Sequence, residues 1–232
     1  MAEPQTKREA LLALYGDLRV ADVRDGMDWL MLHGQGSMTV DIRPLYRTRA
    51  CGIARTARYL PFSGSIAKMT PDEYTQWSSW YYQSVCTYPW ISEIQPGDFV
   101  VIDQSGVNAG LMGSNNAMAG AKNGARGYVT NGGMRDTDEL ILEKIPFWSK
   151  FISQGMVQGR LQYEGKDIPV NVGGVIVYPG DIVVADGDGV IVVPQDAAIE
   201  VAEYAHHELA NDKVSRRKLY QDLGLPPDDS VR

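Results

Sequence analysis

The chain is most constrained by one glycine-rich stretch, Gly110 to Asp136. It reads Gly-Leu-Met-Gly-Ser-Asn-Asn, then Ala-Met-Ala-Gly-Ala-Lys-Asn-Gly-Ala-Arg-Gly, then Tyr-Val-Thr-Asn-Gly-Gly-Met-Arg-Asp. Gly110 to Gly113 reads as a glycine-bounded turn. The small residues from Asn116 to Lys122 suit a helix packed closely on a sheet, with Gly124 and Gly127 to stop it. Tyr128-Val129-Thr130 reads as a short buried strand, and Gly132-Gly133 lets the backbone turn sharply and present Arg135 beside Asp136. A glycine loop at a helix N-terminus and an Arg-Asp pair at a strand end then share one pocket. Free backbone N–H groups and a guanidinium suit a carboxylate, and the adjacent Asp136 suits a hard cation. An Arg-Asp pair after Gly-Gly is also a common surface turn with an ion pair, so spacing alone leaves both readings open.

The length, 232 residues, suffices for one large domain or two small ones. Hydrophobic residues at 44% and charged residues at 22% fit a soluble globular chain. The 22 basic and 29 acidic side chains give a net charge of −7, which argues against a general nucleic-acid or anionic-membrane binder. Cys51 and Cys86 imply no disulfide framework, and reduced cytoplasmic thiols are the expectation. The N-terminal residues show no apolar signal region, and no apolar run is long enough to cross a bilayer. His33, His206 and His207 are too few for a His-rich zinc site or a Ser-His-Asp triad.

Residues 7–16 read as an amphipathic helix ending at Gly16, and a second helix spans 21–33 with Asp22 as its N-cap. Asp22 and Asp25 are then capping or surface acids. Residues 50–60 read as a strand and 61–64 as a loop. Thr70-Pro71-Asp72-Glu73 is a capping box with proline at the first helical position. The helix it opens carries Tyr74, Trp77, Trp80, Tyr81, Tyr82 and Val85, too many sides for one core-facing stripe. Either the helix lies between the core and a subunit neighbour, or one aromatic face lines a substrate pocket. Phe99 to Asp103 is a buried strand. Residues 137–142 form a short helix or turn, and an apolar segment runs on from Phe147 to Gly155. Residues 156–178 read as short strands with turns at Glu164-Gly165 and Gly173-Gly174. Ile182–Ala185 and Gly189–Pro194 flank Asp186-Gly187-Asp188 as a hairpin. A charged helix over about 196–222 closes the chain, its apolar side including Ile199, Ala202, Leu209 and Leu219. No linker or repeat divides the sequence. One α/β domain over 1–232 is expected, with a core over about 15–195.

Taken in order, several pieces resemble one family, which joins the ribonuclease regulator RraA to the 4-hydroxy-4-methyl-2-oxoglutarate and 4-carboxy-4-hydroxy-2-oxoadipate aldolases. They are the 110–113 segment, Asn123-Gly124-Ala125-Arg126-Gly127, Gly132-Gly133-Met134-Arg135-Asp136, Val177-Tyr178-Pro179-Gly180-Asp181, Asp186-Gly187-Asp188-Gly189-Val190 and Val193-Pro194. Pro96-Gly97-Asp98 with Val100-Val101 and Asp103 is a weaker match upstream. The resemblance covers roughly residues 15–225. It implies a β/β/α fold akin to the swivelling phosphohistidine domain, in a homotrimer or a dimer of trimers with the pocket between subunits. It also implies a class II pyruvate aldolase-like lyase that uses Mg²⁺ or Mn²⁺ and takes a small carboxylate substrate. Carried over, Arg135 binds the 2-keto acid and polarises its carbonyl. Asp136 binds the metal. The amides of Leu111, Met112, Gly113 and Ser114, after Gly110, receive the carboxylate. Cleaving a 4-hydroxy-2-keto acid leaves a pyruvate enolate, whose charge a cation and a guanidinium stabilise. Oxaloacetate decarboxylation passes through the same enolate.

The sequence departs from the aldolase pattern where an acid is expected before the Arg: the residue there is Ser114, neutral at pH 7. Asp103, Asn115 or Asn116 are the candidates to substitute. Asp138 or Glu139 occupies the place of an acid associated with the ribonuclease-regulator branch. Asp212 and Glu208, on the last helix, belong to a solvated face or reach a neighbour's pocket. The aromatic segment at 70–90 is longer than the family pattern and points to a different or bulkier substrate. Three functions follow: a metal-dependent lyase; a non-catalytic regulator that binds a ribonuclease; or another metal-assisted reaction, such as hydrolysis or isomerisation. The intact Arg135-Asp136 pair favours the first.

Overall fold

The computed structural model describes residues 6–232. The N-terminal expectation about a signal region falls mostly on residues 1–5, outside the described part. In chain order the elements are α1 (Lys7–Tyr15), α2 (Val20–Trp29), β1 (Arg43–Pro44), β2 (Ala50–Pro61), α3 (Pro71–Ser84), β3 (Asp98–Asp103), β4 (Gly110–Met112) and α4 (Ser114–Lys122). Then follow β5 (Gly127–Met134), α5 (Thr137–Leu142), β6 (Phe147–Ile152), β7 (Leu161–Lys166), β8 (Val170–Val172), β9 (Val175–Val177), β10 (Ile182–Ala185), β11 (Val190–Val193) and α6 (Ala198–Asp222).

The main sheet runs β1-β6-β5-β3-β2-β10-β11, with β4 added to β5 and β7 to β2. Its centre, β2-β3-β5-β6, is parallel. Twelve-residue β2 is the pivot. One edge pairs with β3, and the other pairs first with β10 over Ala50–Ile53 and then with β7 over Ala57–Pro61, across a bulge at Arg58/Tyr59. All six residues of β3 and all four of β10 and of β11 are buried. Covered faces explain why these segments read as unbroken apolar runs rather than alternating ones.

Helices and hairpins cover the sheet in separate patches. Tyr59, Tyr81, Trp90, Ile102, Tyr128 and Phe147 form one core cluster. Phe99, Val101, Trp148 and Val183 pack with Val170 and Val177 of the β8-β9 hairpin. Leu18, Met27, Val184 and Ile191 pack under α2 and α6. Each such side chain, fully buried, contributes about 1.5–3 kcal/mol.

Several expectations need correction. Asp22 is not the N-cap of α2. Arg19 holds that place, and Asp22 is the third helical residue, its carboxylate accepting the Arg19 amide at 2.8 Å. Glu164-Gly165 lies inside β7 rather than in a turn, while Gly173-Gly174 does turn between β8 and β9. Gly110–Met112 is a strand paired with β5, not a turn, because its backbone groups enter a ladder. Gly132-Gly133 continues β5 rather than breaking it. Ile199 and Leu219 are exposed; the inward face of α6 is Ala198, Val201, Ala202 and Ala205.

Candidate functional site

The Arg135-Asp136 pair is placed where β5 ends and α5 begins. The chain turns there through Asp136 itself, in the left-handed region at φ 57°, ψ 47°. A non-glycine residue in that conformation is uncommon, and aspartate is among the few that tolerate it. The nearby glycines do a different job from the one expected of them. Neither Gly110 nor Gly113 has a positive φ. A Cβ on Gly110 would stand 2.7 Å from Arg135 Cγ and Cδ, and one on Gly113 would overlap Asp136 Oδ2. Both glycines clear the space that the two functional side chains fill.

The pair is joined but not closed off. Arg135 Nε donates to Asp136 Oδ1 at 3.0 Å, and the Ser114 amide donates to Oδ2 at 3.2 Å. About a third of each side chain remains exposed. The two terminal amino groups of Arg135 have no hydrogen-bond partner among the described residues, so the guanidinium keeps a free fork for a carboxylate. A cleft of about 320 Å³ opens here. Arg135, Asp136, Asn115 and Asn116 give it polar surface, and Gly110, Leu111 and Gly113 line it as well. Tyr82, Tyr88 and Met156 give it apolar surface.

Of the four amides expected to receive a carboxylate, only that of Gly113 is open among the described residues. The Leu111 amide is engaged by Ala109 O at 2.9 Å, and that of Ser114 by Asp136. Met112 is paired in the ladder with Met134. The amides of Gly113, Asn115 and Asn116 have no partner among the described residues; they are the open N-terminal donors of α4. Neither Met112 nor Ser114 lines the cleft. Asp103 is elsewhere, accepting from Asn131 at 2.8 Å and paired with Arg58 at 3.6 Å. Asp212 pairs with Arg19 at 2.9 Å, and Glu208 accepts the Trp29 indole N–H at 3.0 Å, so both have partners in their own chain.

The donors next to Arg135 are hard oxygens, the Asp136 carboxylate and the Asn115 and Asn116 side-chain carbonyls, and the one soft atom in the lining is the weakly donating Met156 thioether. That chemistry fits Mg²⁺ or Mn²⁺ better than a soft ion. Among the described residues no three His, Cys, Asp or Glu side chains gather into a metal-binding group. An ion here would be held by one carboxylate and mostly by water, as Mg²⁺ commonly is.

Met156, after β6, had no signal in the sequence, and Tyr88, before the short 3-10 turn Pro89–Glu93, was marked only as part of the aromatic segment 70–90. Only tertiary folding brings them to Arg135. Tyr82 belongs to the aromatic run, and its position decides between the two readings of that run in part. Tyr81 is buried with its hydroxyl on Leu161 O at 2.6 Å, Tyr82 lines the cleft, and Tyr74 and Trp80 stay exposed. Burial pushes the Tyr82 phenol above its ordinary pKa, while the neighbouring Gln158 amide and the Arg135 charge pull it back.

The comparisons agree with this architecture. Residues 20–192 match the model of the RraA-like family described as Aldolase/RraA, and the chain belongs to that family. It is 35% identical over 92 residues to a Deinococcus radiodurans protein provisionally named a 4-hydroxy-4-methyl-2-oxoglutarate aldolase, a match covering 39% of this chain and 56% of that one. It is 30% identical over 107 residues to the 4-hydroxy-4-methyl-2-oxoglutarate aldolase of Thermus thermophilus, covering 45% of this chain and 64% of the relative. The matches thus span less than two thirds of these relatives' lengths. Streptomyces coelicolor RraAS2, described as an unusual member of the RNase ES inhibitor RraA protein family, superposes with a TM-score of 0.71 over 93% of this chain and 98% of that one, at 25% identity. The fold is the single-domain mixed α/β fold of these proteins, with helices at both ends. No helix among the described residues is long and apolar enough to cross a membrane.

Proposed function

We propose that this chain is a divalent-metal-dependent lyase of the class II pyruvate-aldolase type, cleaving a 4-hydroxy-2-keto acid or a related acid. The observation that carries the reading is the Arg135 fork, left free beside an exposed carboxylate in a glycine-cleared cleft. Arg135 receives the substrate carboxylate or the keto oxygen with its two terminal amino groups. The open amides of Asn115 and Asn116 supply further donors to the same anion. Asp136 would hold Mg²⁺ or Mn²⁺, with Asn115 and Asn116 as further oxygen donors. The ion supplies Lewis-acid polarisation of the keto group. Ser114 orients Asp136 through its amide, and its side chain, outside the cleft lining, brings no acid to the place where the aldolase pattern has one. Water, rather than a carboxylate at that place, then relays the proton. The same site would decarboxylate oxaloacetate, because loss of CO₂ leaves the same kind of enolate.

A coupled assay for pyruvate, run with 4-hydroxy-2-keto acids and with oxaloacetate, tests this. Turnover with Mg²⁺ or Mn²⁺ that EDTA abolishes is expected. No turnover across the panel removes the reading. Ser114 supports a second reading, a non-catalytic regulator of the RraA kind. Co-purification with an endoribonuclease, together with silence in the pyruvate assay, is its signature. Another metal-assisted reaction, hydrolysis or isomerisation, is the remaining outcome of such a panel. The working form we infer is a homotrimer or a dimer of trimers acting in the cytoplasm, without nucleic acid or membrane. Exposed Tyr74 and Trp80 on α3 are in keeping with a subunit contact.

A further inference from the structure

Resting on the lyase reading, we propose that the substrate carries a neutral apolar group, aryl or branched alkyl, at the end remote from its keto-acid head, and that Tyr82, Tyr88 and Met156 select it. Arg135 is the one cationic side chain among the described residues lining the cleft. Its Nε is spent on Asp136, so its free fork serves one carboxylate. In this chain's own lining a second carboxylate on the substrate would find no counter-ion and would lie against rings and a thioether. The ring of Tyr88 is what that residue offers, because its hydroxyl already donates to Leu111 O at 3.0 Å. Tyr82 and Met156 are each 38% exposed, so both present surface that a ligand can cover. The Met156 thioether adapts to the shape of a ring or a branched chain. The cleft's volume, about 320 Å³, leaves room beyond a three-carbon keto acid.

The test separates the tail from the chemistry. Calorimetry on the full chain with Mg²⁺ compares phenylpyruvate with 2-oxoglutarate, two keto acids that differ at the far end. Phenylpyruvate is expected to bind about tenfold tighter. Tyr82→Ala should remove most of that difference by weakening phenylpyruvate alone, and Tyr82→Phe should restore it. Equal or tighter binding of 2-oxoglutarate, binding of neither, or an equal loss of both in Tyr82→Ala would overturn the proposal. A second arm measures pyruvate released from 4-hydroxy-2-oxo-4-phenylbutanoate and from 4-hydroxy-4-methyl-2-oxoglutarate. A phenyl preference in binding with no turnover of either removes the lyase reading and leaves this one standing. Turnover that favours the dicarboxylate does the reverse.

Discussion

Asp136 carries two burdens at one position, a charge for the site and a left-handed backbone for the turn into α5. Substitutions can separate them. Asparagine tolerates the left-handed region nearly as well as aspartate, whereas alanine there costs about 1–2 kcal/mol. Asp136→Asn is therefore expected to melt close to the parent and yet lose Mn²⁺ binding by calorimetry. Asp136→Ala should lose binding and stability together. Retained Mn²⁺ affinity in Asp136→Asn would show that the carboxylate is not the ligand. Gly113→Ala makes a complementary case. Its new Cβ would collide with Asp136 Oδ2, so the carboxylate must move. The cost is about 1–3 kcal/mol of overpacking, and turnover should fall without any change to a charged residue. A Gly113→Ala variant with parental turnover would mean that the space beside Asp136 is not needed.

At the scale of elements, the capping box at Thr70 was plain in the sequence because it is local. Thr70 accepts the Glu73 amide at 3.3 Å and the Thr70 amide donates to Glu73 at 2.8 Å, so α3 begins where four consecutive residues said it would. Thr70→Ala should cost about 1 kcal/mol, read from denaturant melts, and with it some of the order of the helix that carries Tyr82. The strands β3, β10 and β11 were also legible, since their buried apolar runs are bounded by turn residues. The glycines around the site were misread for a physical reason. A sequence shows that a position lacks a side chain, but not whether φ or space demanded it. At Gly110, Gly113, Gly132 and Gly133 it is space: a Cβ on Gly132 would meet Gln104, and one on Gly133 would meet Ser153 and Ala109. The inward face of α6 was misjudged in part, at Ile199 and Leu219, while Ala202 and Leu209 do face the core. Alanines at 198, 202 and 205 pack there because α2 comes close, and Gly26 shows how close: a Cβ on it would press on the Val201 carbonyl and on Ala205. Gly26→Ala should therefore destabilise the protein by about 1–3 kcal/mol. That outcome would run against the roughly 1 kcal/mol that alanine gains over glycine in an open helix. A rise in melting temperature would sink the close-packing account. Met156 could not have been found, because nothing in its local sequence points across the fold to Arg135, and Tyr88 was marked only as one of the aromatics in 70–90.

The molecule as a whole is built around buried phenols, and this fixes how it should respond to alkali. Tyr15, Tyr59, Tyr88 and Tyr128 lie deep enough that burial raises their pKa values well above the ordinary phenol value. Burial likewise pushes Tyr81 up to about 12 and the Cys86 thiol up to about 12. Each group is neutral in the folded state at a pH where its unfolded counterpart has ionised. The folded chain then binds more protons than the unfolded one, so stability falls as pH rises. The contribution is intact below about pH 8, where the unfolded thiol begins to ionise, and is lost upward from there, the phenols joining near pH 9–10, through the folded values. Each group fully engaged adds about 1.4 kcal/mol per pH unit to the slope, so even three acting together would remove roughly 4 kcal/mol per unit. A domain with about 5–15 kcal/mol in hand cannot withstand that for long. Melts up to pH 11 should show a flat shoulder and then a fall that begins near pH 8 and steepens near pH 9–10. Cys86→Ala should soften its first part, since the thiol is the group that ionises earliest on unfolding. A melting temperature that stays level to pH 11 would mean that the phenols ionise in place, and hence that the core around Tyr59 and Tyr128 admits water.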